Sequence, residues 1–577
     1  MKAAMGSLLS TLSNGSPSSS QQAKVQPRPI TLKDVPIENQ RPMKGVGGTW
    51  FVNRYPGCAC DIPSHSYQYS FDPNPDWSNL YAPQREICAY LQRMATKYGV
   101  MRFVKLSHEV ESCRWDGRSQ EVVRFNQQSK SLSHAHPETD FFIFCLIRYL
   151  RVRELATGNV IDDEADVVIA AKGNLSDPAW PNIPGLKDFE GEVMHSACWK
   201  EDYDFKNKRI GVIGNGSSAI QIVPKLQEIE GTQLSCFVRS KTWITNPFGD
   251  EGRVCKQPEK FYAFRKVIED DGNTIHEVSF RDSAMQREAL ELFRNAMRER
   301  LAAKPEIADF LIPSFAIGCR RTTPGPGYLE ALVEPNVDFI TDGIASINAN
   351  GVKVKPRSGS DETEERQVDL DCLVCATGFH AASAPPFPIQ GRNGQTLSER
   401  FDPHPEAYLS VAVDGFPNLF FMLGPNSAIG SGSLTRILEA EGDYIVKCLR
   451  KLQREDYACM SVKADRVADW SAYCDAYFKG TVYTDACNSW YRSGDRITGL
   501  TLHALEAMRA PRWEDFEFEH VEWGGVNTMK WLGNGWSVTQ LKKEGDPSWY
   551  LEPRFLDVPV EGAPEEDAEF KLRPFYG

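Results

Sequence analysis

The sequence predicts an α/β fold built around a parallel sheet, and three observations support this. Segments with strand and helix patterns alternate from Arg209 to about Gly378, as they do in parallel α/β domains. An apolar run at residues 167–170 predicts another buried strand, which a turn at Gly173 would end. With 577 residues, 41% of them hydrophobic, the chain is long enough for two or three packed domains.

Several further segments have a clear local pattern. Residues 1–29 are rich in Ser, Gln and Pro, so we expect a disordered leader. Residues 85–98 predict a helix because their apolar side chains recur at helical spacing. Two more helices are predicted at Ala284–Arg300, as an insert in the α/β domain, and at Ile437–Leu452. The helix at 85–98 would carry on one face Ile87, Tyr90, Leu91, Met94 and Tyr98.

Charge and hydropathy exclude two classes of partner. The formal net charge of −13 argues against nucleic acid, whose phosphates require a basic surface. The longest apolar stretch, Phe141–Ile147, is far shorter than the ~20 residues that cross a bilayer, and the run near Ser7 is too short for a signal peptide. We therefore expect a soluble, cytoplasmic protein without a membrane partner. The sequence leaves its oligomeric state open.

The fifteen cysteines are scattered, apart from the close pair Cys58 and Cys60. A chain of this size does not need a disulfide framework, so we expect reduced, buried thiols. No set of Cys and His residues has the spacing of metal ligands, and the sequence therefore predicts no metal site.

The clearest local signal is a glycine-rich turn between an apolar strand and an apolar helix face. Gly214 permits the tight turn, and Gly216 lets backbone N–H groups approach a pyrophosphate. Ala219 is small enough for close packing of the helix on the strand, and the helix N-terminus attracts the anion. The segment predicts a dinucleotide site formed by Gly214, Asn215, Gly216, Ser217, Ser218 and Ala219.

The end of the next strand indicates which dinucleotide binds. Arg239, Ser240 and Lys241 stand where an NAD site would place an acidic residue for the ribose hydroxyl. Basic side chains suit the 2′-phosphate of NADP instead. The alternative is that these cations are only solvated surface charges.

A resemblance to a known family begins with Phe189-x-Gly191-x-x-x-His195-x-x-x-Trp199, which matches the FxGxxxHxxxW signature of Baeyer–Villiger monooxygenases. Five further segments match in the family's order, and the chain looks closest to the fungal branch that modifies polyketides and terpenoids. They are Gly47-Gly48-Thr49-Trp50, Asn53–Gly57 with Asp61, the Gly214 turn, Gly318-Cys319-Arg320-Arg321 and Ala376-Thr377-Gly378-Phe379.

The resemblance implies two dinucleotide-binding, Rossmann-like domains, with the NADP domain inserted in a partly truncated FAD domain. After a leader at 1–40, the FAD domain would span 41–185, with an atypical insert at 121–151, and the NADP domain 186–390. Residues 391–577 would complete the FAD domain and form the substrate-pocket tail, in which Trp490-Tyr491 and Leu532–Gly535 are candidate pocket residues.

The resemblance also implies that the protein uses FAD, NADPH and O₂ to oxidise a small ketone. It assigns roles to individual residues. Arg321 would be the catalytic cation and Asp61 its partner, because a fixed guanidinium stabilises the anionic oxygen species of this chemistry. His195 would be structural. FAD would contact Gly47, Gly48, Thr49, Trp50, Cys60, Asp61, Tyr67, Val110 and Asn426. NADP would contact the Gly214 turn, Ala59, Cys60, Asp61, Arg239, Ser240, Lys241, Arg320 and Arg321.

The chain departs from the family in two places. The family has a strand–GxGxxG–helix for the FAD pyrophosphate ahead of Gly47, but here Lys44 runs directly into Gly45-Val46-Gly47-Gly48, with no apolar strand before these glycines and no helix expected directly after them. Between Glu121 and Arg151 the chain adds a polar run and then Phe141–Ile147, which lacks helical or strand periodicity and would expose an apolar patch. We interpret these as a skipped exon and a retained intron in the gene model; genuine divergence is the alternative.

Two other functions remain open. A heteroatom oxygenase acting on amines or sulfides would share both nucleotide sites, although its signature usually ends in an aromatic residue other than Trp199. A catalytically impaired flavoprotein would account for the missing GxGxxG.

Overall fold

The computed structural model describes residues 45–121, 143–175, 177–245, 258–356, 364–380, 384–427, 432–455, 457–487 and 501–520, with short pieces between 535 and 551. The predicted disordered leader lies outside these residues. So do the candidate pocket residues Trp490-Tyr491 and most of Leu532–Gly535.

The helices and strands alternate through the middle of the chain. The helices are α1 (Thr49–Val52), α2 (Gln84–Lys97), α3 (Ser217–Gln227), α4 (Pro258–Thr274), α5 (Ala284–Arg300), α6 (Pro305–Leu311), α7 (Tyr328–Val333), α8 (Leu397–Arg400), α9 (Leu434–Arg454), α10 (Ala464–Phe478) and α11 (Thr501–Ala507). The strands are β1 (His108–Glu121), β2 (Ile143–Glu154), β3 (Val160–Ala165), β4 (Val168–Ala170), β5 (Glu192–His195), β6 (Arg209–Ile213), β7 (Gln233–Phe237), β8 (Ile244–Thr245), β9 (Thr323–Pro324), β10 (Val337–Ile340), β11 (Gly343–Asn348), β12 (Gly351–Lys355), β13 (Arg366–Asp369), β14 (Cys372–Cys375), β15 (Ile389–Gln390), β16 (Leu419–Phe421), β17 (Tyr457–Val462) and β18 (Phe516–His520).

The central domain is a five-stranded parallel sheet in the order β10-β7-β6-β14-β5. Apolar side chains of β6 and α3 form its core, and Ile210, Val212 and Ile222 are fully buried. This confirms the predicted α/β domain and places the glycine-rich turn at the carboxyl end of the central strand, where parallel sheets bind ligands.

Two insertions extend this domain. The helices α4, α5 and α6 lie between β8 and β9, and the predicted helix at Ala284–Arg300 is confirmed as α5. Ser283 caps α5 by accepting a hydrogen bond from the backbone N–H of Gln286 at 3.0 Å. The strands β11, β12 and β13 form a separate antiparallel sheet between β10 and β14.

The N-terminal domain contains a much smaller parallel sheet. Within the described residues, β4 pairs only with β16, and together they form a two-stranded parallel sheet. Beside it, β15, β1, β2 and β3 form a four-stranded sheet that contains a long β1–β2 hairpin. The predicted strand at 167–170 is confirmed, but it has one parallel neighbour among the residues described.

The prediction for the insert at 121–151 was wrong in part. Residues 143–151 belong to β2, whose pairing with β1 continues as far as Ile143 opposite Glu121. Arg148 is fully buried, and its Nε donates to the Pro417 carbonyl at 3.0 Å. An unbroken apolar run can form a strand when it has a pairing partner, and the long β1 supplies one. Residues 122–142 lie outside the described part.

The other helix predictions gave mixed results. The helices predicted at 85–98 and at Ile437–Leu452 are confirmed as α2 and α9, although Tyr98 lies outside α2 and is half exposed. The expectation that no helix directly follows Gly48 was wrong, because the single turn α1 begins at Thr49. This turn has four residues and follows no strand, so it does not complete a strand–turn–helix unit.

The cysteine prediction needs one correction. Eleven described cysteines are outside disulfides, and ten of them are buried, as expected. Cys319 and Cys487, however, form a disulfide across 168 positions of sequence. The sequence could not show this pairing, because only the folded chain brings the two residues together.

Candidate functional site

The glycine-rich turn has the geometry that its sequence predicted. Gly214 has a φ of +117°, and a Cβ at this position would lie 2.5 Å from the Ala376 carbonyl oxygen. Both the backbone conformation and this close approach require glycine. The helix α3 begins at Ser217, directly after Gly216, so its unpaired N–H groups lie at the carboxyl end of the sheet.

Side chains from three segments hold this turn in place. Asn215 donates through Nδ2 to the Ser240 carbonyl and accepts at Oδ1 from the Ser240 hydroxyl at 3.2 Å. The hydroxyls of Ser217 and Thr323 lie 2.7 Å apart. Ala219 is fully buried against the sheet. The turn is therefore fixed against the end of β7 and against the strand β9.

The cations around the turn differ in their contacts. Arg239 is exposed, and Arg320 lies close to the turn, since a Cβ on Gly216 would be 3.4 Å from its Nη2. Burial lowers the pKa of Arg320, which nevertheless remains a cation at neutral pH. Among the described residues, neither arginine forms an ion pair, whereas Lys241 donates to the Ile312 carbonyl at 3.2 Å. Two unpaired guanidiniums beside a helix N-terminus suit a dinucleotide that carries a 2′-phosphate.

Arg321 and Asp61 form a bidentate ion pair. Nη2 of Arg321 donates to Oδ1 of Asp61 at 2.7 Å, and Nε donates to Oδ2. The two side chains are 19% and 22% exposed, so the pair is sheltered but remains open on one side. The predicted catalytic pair therefore lies together, one residue beyond Arg320.

The helix α3 positions Asp61 through the turn that precedes it. A Cβ on Gly57 would lie 2.4 Å from the Gln221 carbonyl oxygen, so only glycine allows this contact. Gln221 also accepts from the Tyr55 hydroxyl at 2.9 Å and donates to the Ala59 carbonyl at 3.0 Å. The N-terminal segment is thereby attached to the nucleotide-binding helix.

The predicted flavin-contacting segment lies beside the ion pair. Trp50 donates through its indole N–H to the Tyr67 hydroxyl at 3.1 Å, and the two rings meet edge to face. Burial raises the pKa of Tyr67 to about 12, and the nearby charge of Arg321 acts in the opposite direction. Cys60 is buried and lies near the Ser64 hydroxyl. Gly47 and Gly48, both with positive φ, lead into Thr49 at the start of α1.

The other two predicted FAD contacts lie in two different parts of the fold. Val110 is buried in the apolar core of the four-stranded sheet, where packing explains its presence. Asn426 has a positive φ and lines a cavity next to α9.

The residues of the FxGxxxHxxxW signature lie where the five-stranded parallel sheet meets the linkers between the domains. His195 ends β5, pairs with Cys375 of β14, and accepts at Nδ1 from the Ala197 N–H at 3.1 Å. It is fully buried, as expected of a structural role. Gly191 leaves room for the Asp371 carbonyl, and Thr377 donates to the Ala179 carbonyl at 2.6 Å. The set is completed by Phe189, which is buried, Trp199, which stacks on Phe205, Ala376, which lies against Gly214, and Gly378, whose carbonyl accepts from the Ala179 N–H at 2.9 Å.

The described residues fit NADP better than they fit FAD. The Gly214 turn, the N-terminus of α3 and the two arginines fit NADP. Among the described residues, the Gly214 turn is the only one with the GxGxxA pattern between a strand of the five-stranded parallel sheet and a helix, so no second turn of this pattern is available for the FAD pyrophosphate. Across the same residues, no group of His, Cys, Asp and Glu could hold a metal ion.

One acidic residue was missed in the sequence. Glu441 is fully buried in α9, on the face that also buries Ile437, Tyr444 and Ile445. A single carboxylate within an otherwise apolar helix face was the signal that could have identified it.

The fold and the site together define a class: a two-domain nucleotide-binding protein with an Arg–Asp pair where its domains meet. A family model described as flavin-binding monooxygenase-like matches residues 156–266. The chain is 33% identical to the FAD-binding monooxygenase tazF of Aspergillus terreus, covering 91% of this chain and 90% of that protein. It is also 32% identical to a Baeyer–Villiger monooxygenase of Pseudomonas aeruginosa, covering 82% of this chain and 81% of that one.

Solved structures agree with this class. A steroid monooxygenase bound to NADP superposes with a TM-score of 0.66 at 27% identity, over 83% of this chain and 93% of that one. Cyclohexanone monooxygenase shows the same fold, with a TM-score of 0.66. The chain therefore belongs to the FAD-binding monooxygenases, the family that includes the Baeyer–Villiger enzymes, and its enzyme class is an FAD- and NADP-dependent monooxygenase. No described helix is both long and apolar enough to span a membrane.

Proposed function

We propose that the protein catalyses a Baeyer–Villiger oxidation, inserting one oxygen atom of O₂ into a ketone to give an ester or lactone. The bidentate pair of Arg321 and Asp61 supports this proposal most strongly. It holds a permanent cation beside a nucleotide-binding turn, in a sheltered position where two domains meet. Such a cation stabilises negative charge that develops on a substrate oxygen.

The residues around the pair have distinct roles in this proposal. Arg321 holds the charge, because a guanidinium stays protonated throughout the reaction. Asp61 fixes its plane through two hydrogen bonds, so that little reorganisation is needed during the reaction. Trp50 and Tyr67 would form one wall of the site and exclude water, since the two rings pack edge to face and Tyr67 is close enough for the charges of Asp61 and Arg321 to act on its pKa. His195 is structural and connects the sheet with the linker.

The proposed cofactor contacts follow the two domains, with 41–185 and 391–577 for FAD and 186–390 for NADP. When bound, NADPH supplies hydride and FAD activates oxygen. NADP would lie on the Gly214 turn, with Arg239, Lys241 and Arg320 around its 2′-phosphate and Ala59, Cys60 and Asp61 nearby. The residues proposed for FAD are Gly47, Gly48, Thr49, Trp50, Cys60, Asp61, Tyr67, Val110 and Asn426.

We further propose a ketone intermediate of a fungal polyketide or terpenoid pathway as the substrate, acted on in the cytoplasm. The similarity to monooxygenases of Aspergillus and Dothistroma supports the fungal assignment. Analysis of products from a ketone, an amine and a sulfide, incubated with NADPH, FAD and ¹⁸O₂, tests the reaction. An ester carrying one ¹⁸O is expected. Oxygenation of the amine or sulfide alone would show a heteroatom oxygenase instead.

One observation favours a second candidate, a catalytically impaired flavoprotein. Among the described residues β4 has a single parallel neighbour, β16, where a complete FAD domain has further strands and a phosphate-binding turn. Purified protein that binds NADP⁺ but takes up no flavin, even with excess FAD, would support this candidate.

A further inference from the structure

A cavity opens between α9, α10 and α11, away from the glycine-rich turn. Its empty space, counted together with the open solvent at its mouth, is about 610 Å³. Tyr473 and His503, both exposed, lie at its mouth with their ring centres 6.1 Å apart. The remaining walls are largely aromatic and aliphatic, which suits a flat, apolar molecule. They include Leu409, Ile437, Trp470, Tyr477, Phe478 and Met508, and Asn426, which we proposed above as an FAD contact, lines the same cavity.

Three polar atoms of this lining have no hydrogen-bond partner among the described residues. Oε2 of Glu441 accepts from the Leu423 N–H at 2.9 Å, but its Oε1 is buried without a partner. The Ser427 hydroxyl and the Trp470 indole N–H are likewise buried and unpaired. Buried polar atoms are nearly always hydrogen-bonded, so three exceptions around one cavity suit a ligand that offers them a polar atom.

The charges of the lining restrict the chemistry of that ligand. Among the described residues that line the cavity there is no lysine or arginine, and the imidazole of His503 lies at its mouth, so the described interior favours an uncharged ligand. Burial raises the pKa of Glu441 to about 8, which leaves the carboxyl largely protonated at neutral pH. A protonated carboxyl can donate its O–H to a carbonyl oxygen and can accept from a hydroxyl.

We propose that this Glu441 cavity binds a neutral, apolar ring compound through a carbonyl or hydroxyl oxygen, which Glu441, Ser427 and Trp470 hold. The apolar walls would enclose the ring system. That this compound is the ketone substrate rests on the proposed function. That such a compound binds in the cavity does not depend on it.

The position of the cavity is consistent with this use. Phe478 lines it and packs edge to face against Tyr483, with ring centres 5.9 Å apart. The charge of Arg321 acts on the pKa of Tyr483, so this tyrosine lies close to the ion pair. The contact between Phe478 and Tyr483 therefore links the wall of the cavity to the surroundings of Arg321.

Calorimetric binding of 2-tetralone to the full chain, with NADP⁺ present, tests the proposal. Tetralin has the same ring system without the oxygen and serves as the matched ligand. We expect 2-tetralone to bind roughly tenfold more tightly than tetralin, the value of about one net hydrogen bond. Glu441→Leu should abolish this difference, and Glu441→Gln, which keeps a donor and an acceptor, should retain it.

Asp443→Asn is the matched control, because Asp443 is exposed on the same helix. Unchanged NADP⁺ affinity in each variant verifies the fold, and Ser427→Ala provides a second test if Glu441→Leu fails to fold. Equal binding of both ligands, no binding of either, or displacement of 2-tetralone by FAD would overturn the proposal. Binding without ester formation would count against the proposed function alone.

Discussion

Arg321 and Asp61 stand 260 positions apart in the sequence and meet in a bidentate ion pair. Asp61 follows the turn that packs on α3, and Arg321 follows Arg320 beside the same helix. The pair thus depends on both domains. It can form only when the two domains pack against each other correctly. The predictions below start from this arrangement.

Removal of the Arg321 cation should separate NADPH oxidation from product formation. In Arg321→Ala we expect NADPH consumption to continue, while ester formation falls roughly 10²–10³-fold, as for other donors to a developing oxyanion. Simultaneous assays of NADPH absorbance and ester yield measure the two processes. Arg298→Ala, at an exposed position of α5, is the control. Normal ester yield in Arg321→Ala would refute the role of this residue.

The unpaired arginines should determine the preference for NADP over NAD. Arg320→Ala and Arg239→Ala should each weaken NADP⁺ binding by about tenfold or more and leave NAD⁺ binding nearly unchanged, since only NADP carries the 2′-phosphate. Lys241→Ala should have a smaller effect, because this ammonium already donates to the Ile312 carbonyl. Calorimetry with each nucleotide measures this without flavin. Parallel loss of both affinities would indicate damage to the fold.

Flavin content should be low in the chain as written. Because the described residues contain no second strand–GxGxxG–helix unit for the FAD pyrophosphate, we expect the purified protein to contain far less than one flavin per chain. Insertion of a strand–GxGxxG–helix segment after Lys44 should restore stoichiometric flavin, measured by absorbance after extraction. Transcript sequencing tests the gene-model interpretation directly, and a message that encodes the printed residues would reject it.

Glu441 should make stability depend on pH. Its pKa is raised to about 8 in the folded protein, compared with an ordinary value of 4.5 for a glutamate. Between these values the folded state retains a proton that the unfolded state has lost, so the free energy of unfolding should fall as the pH rises from about 4.5 to about 8. Urea unfolding across this range measures the slope. Glu441→Gln should flatten it, and an unchanged slope in this variant would contradict the assignment.

The Cys319–Cys487 disulfide should stabilise the segment that carries Arg320 and Arg321. Cys487→Ser should lower the free energy of unfolding by about 2–4 kcal/mol, because the bridge closes a long loop. Thermal unfolding with and without dithiothreitol measures this effect. Cys198→Ser, outside the disulfide, is the control. Equal sensitivity of the wild type and Cys487→Ser to the reductant would exclude a contribution from the bridge.

Local pattern predicted the elements whose structure depends on nearby residues. The turn at Gly214, the helix α5 and the strand at 167–170 each follow from backbone freedom or apolar spacing within a short window. The same reasoning failed for residues 143–151, because a strand without alternation depends on its partner β1. The pairing of Arg321 with Asp61 was expected from family resemblance, and no local pattern could have shown it.

The sequence by itself determined the nucleotide-binding turn, the cations around it and the absence of a second GxGxxG ahead of Gly47. Tertiary structure decided which of those cations remain unpaired, which cysteines join, and that Glu441 is buried beside a cavity. The physical reason is range: turns and helices follow from neighbouring residues, whereas ion pairs, disulfides and desolvated carboxyls require groups that only folding brings together.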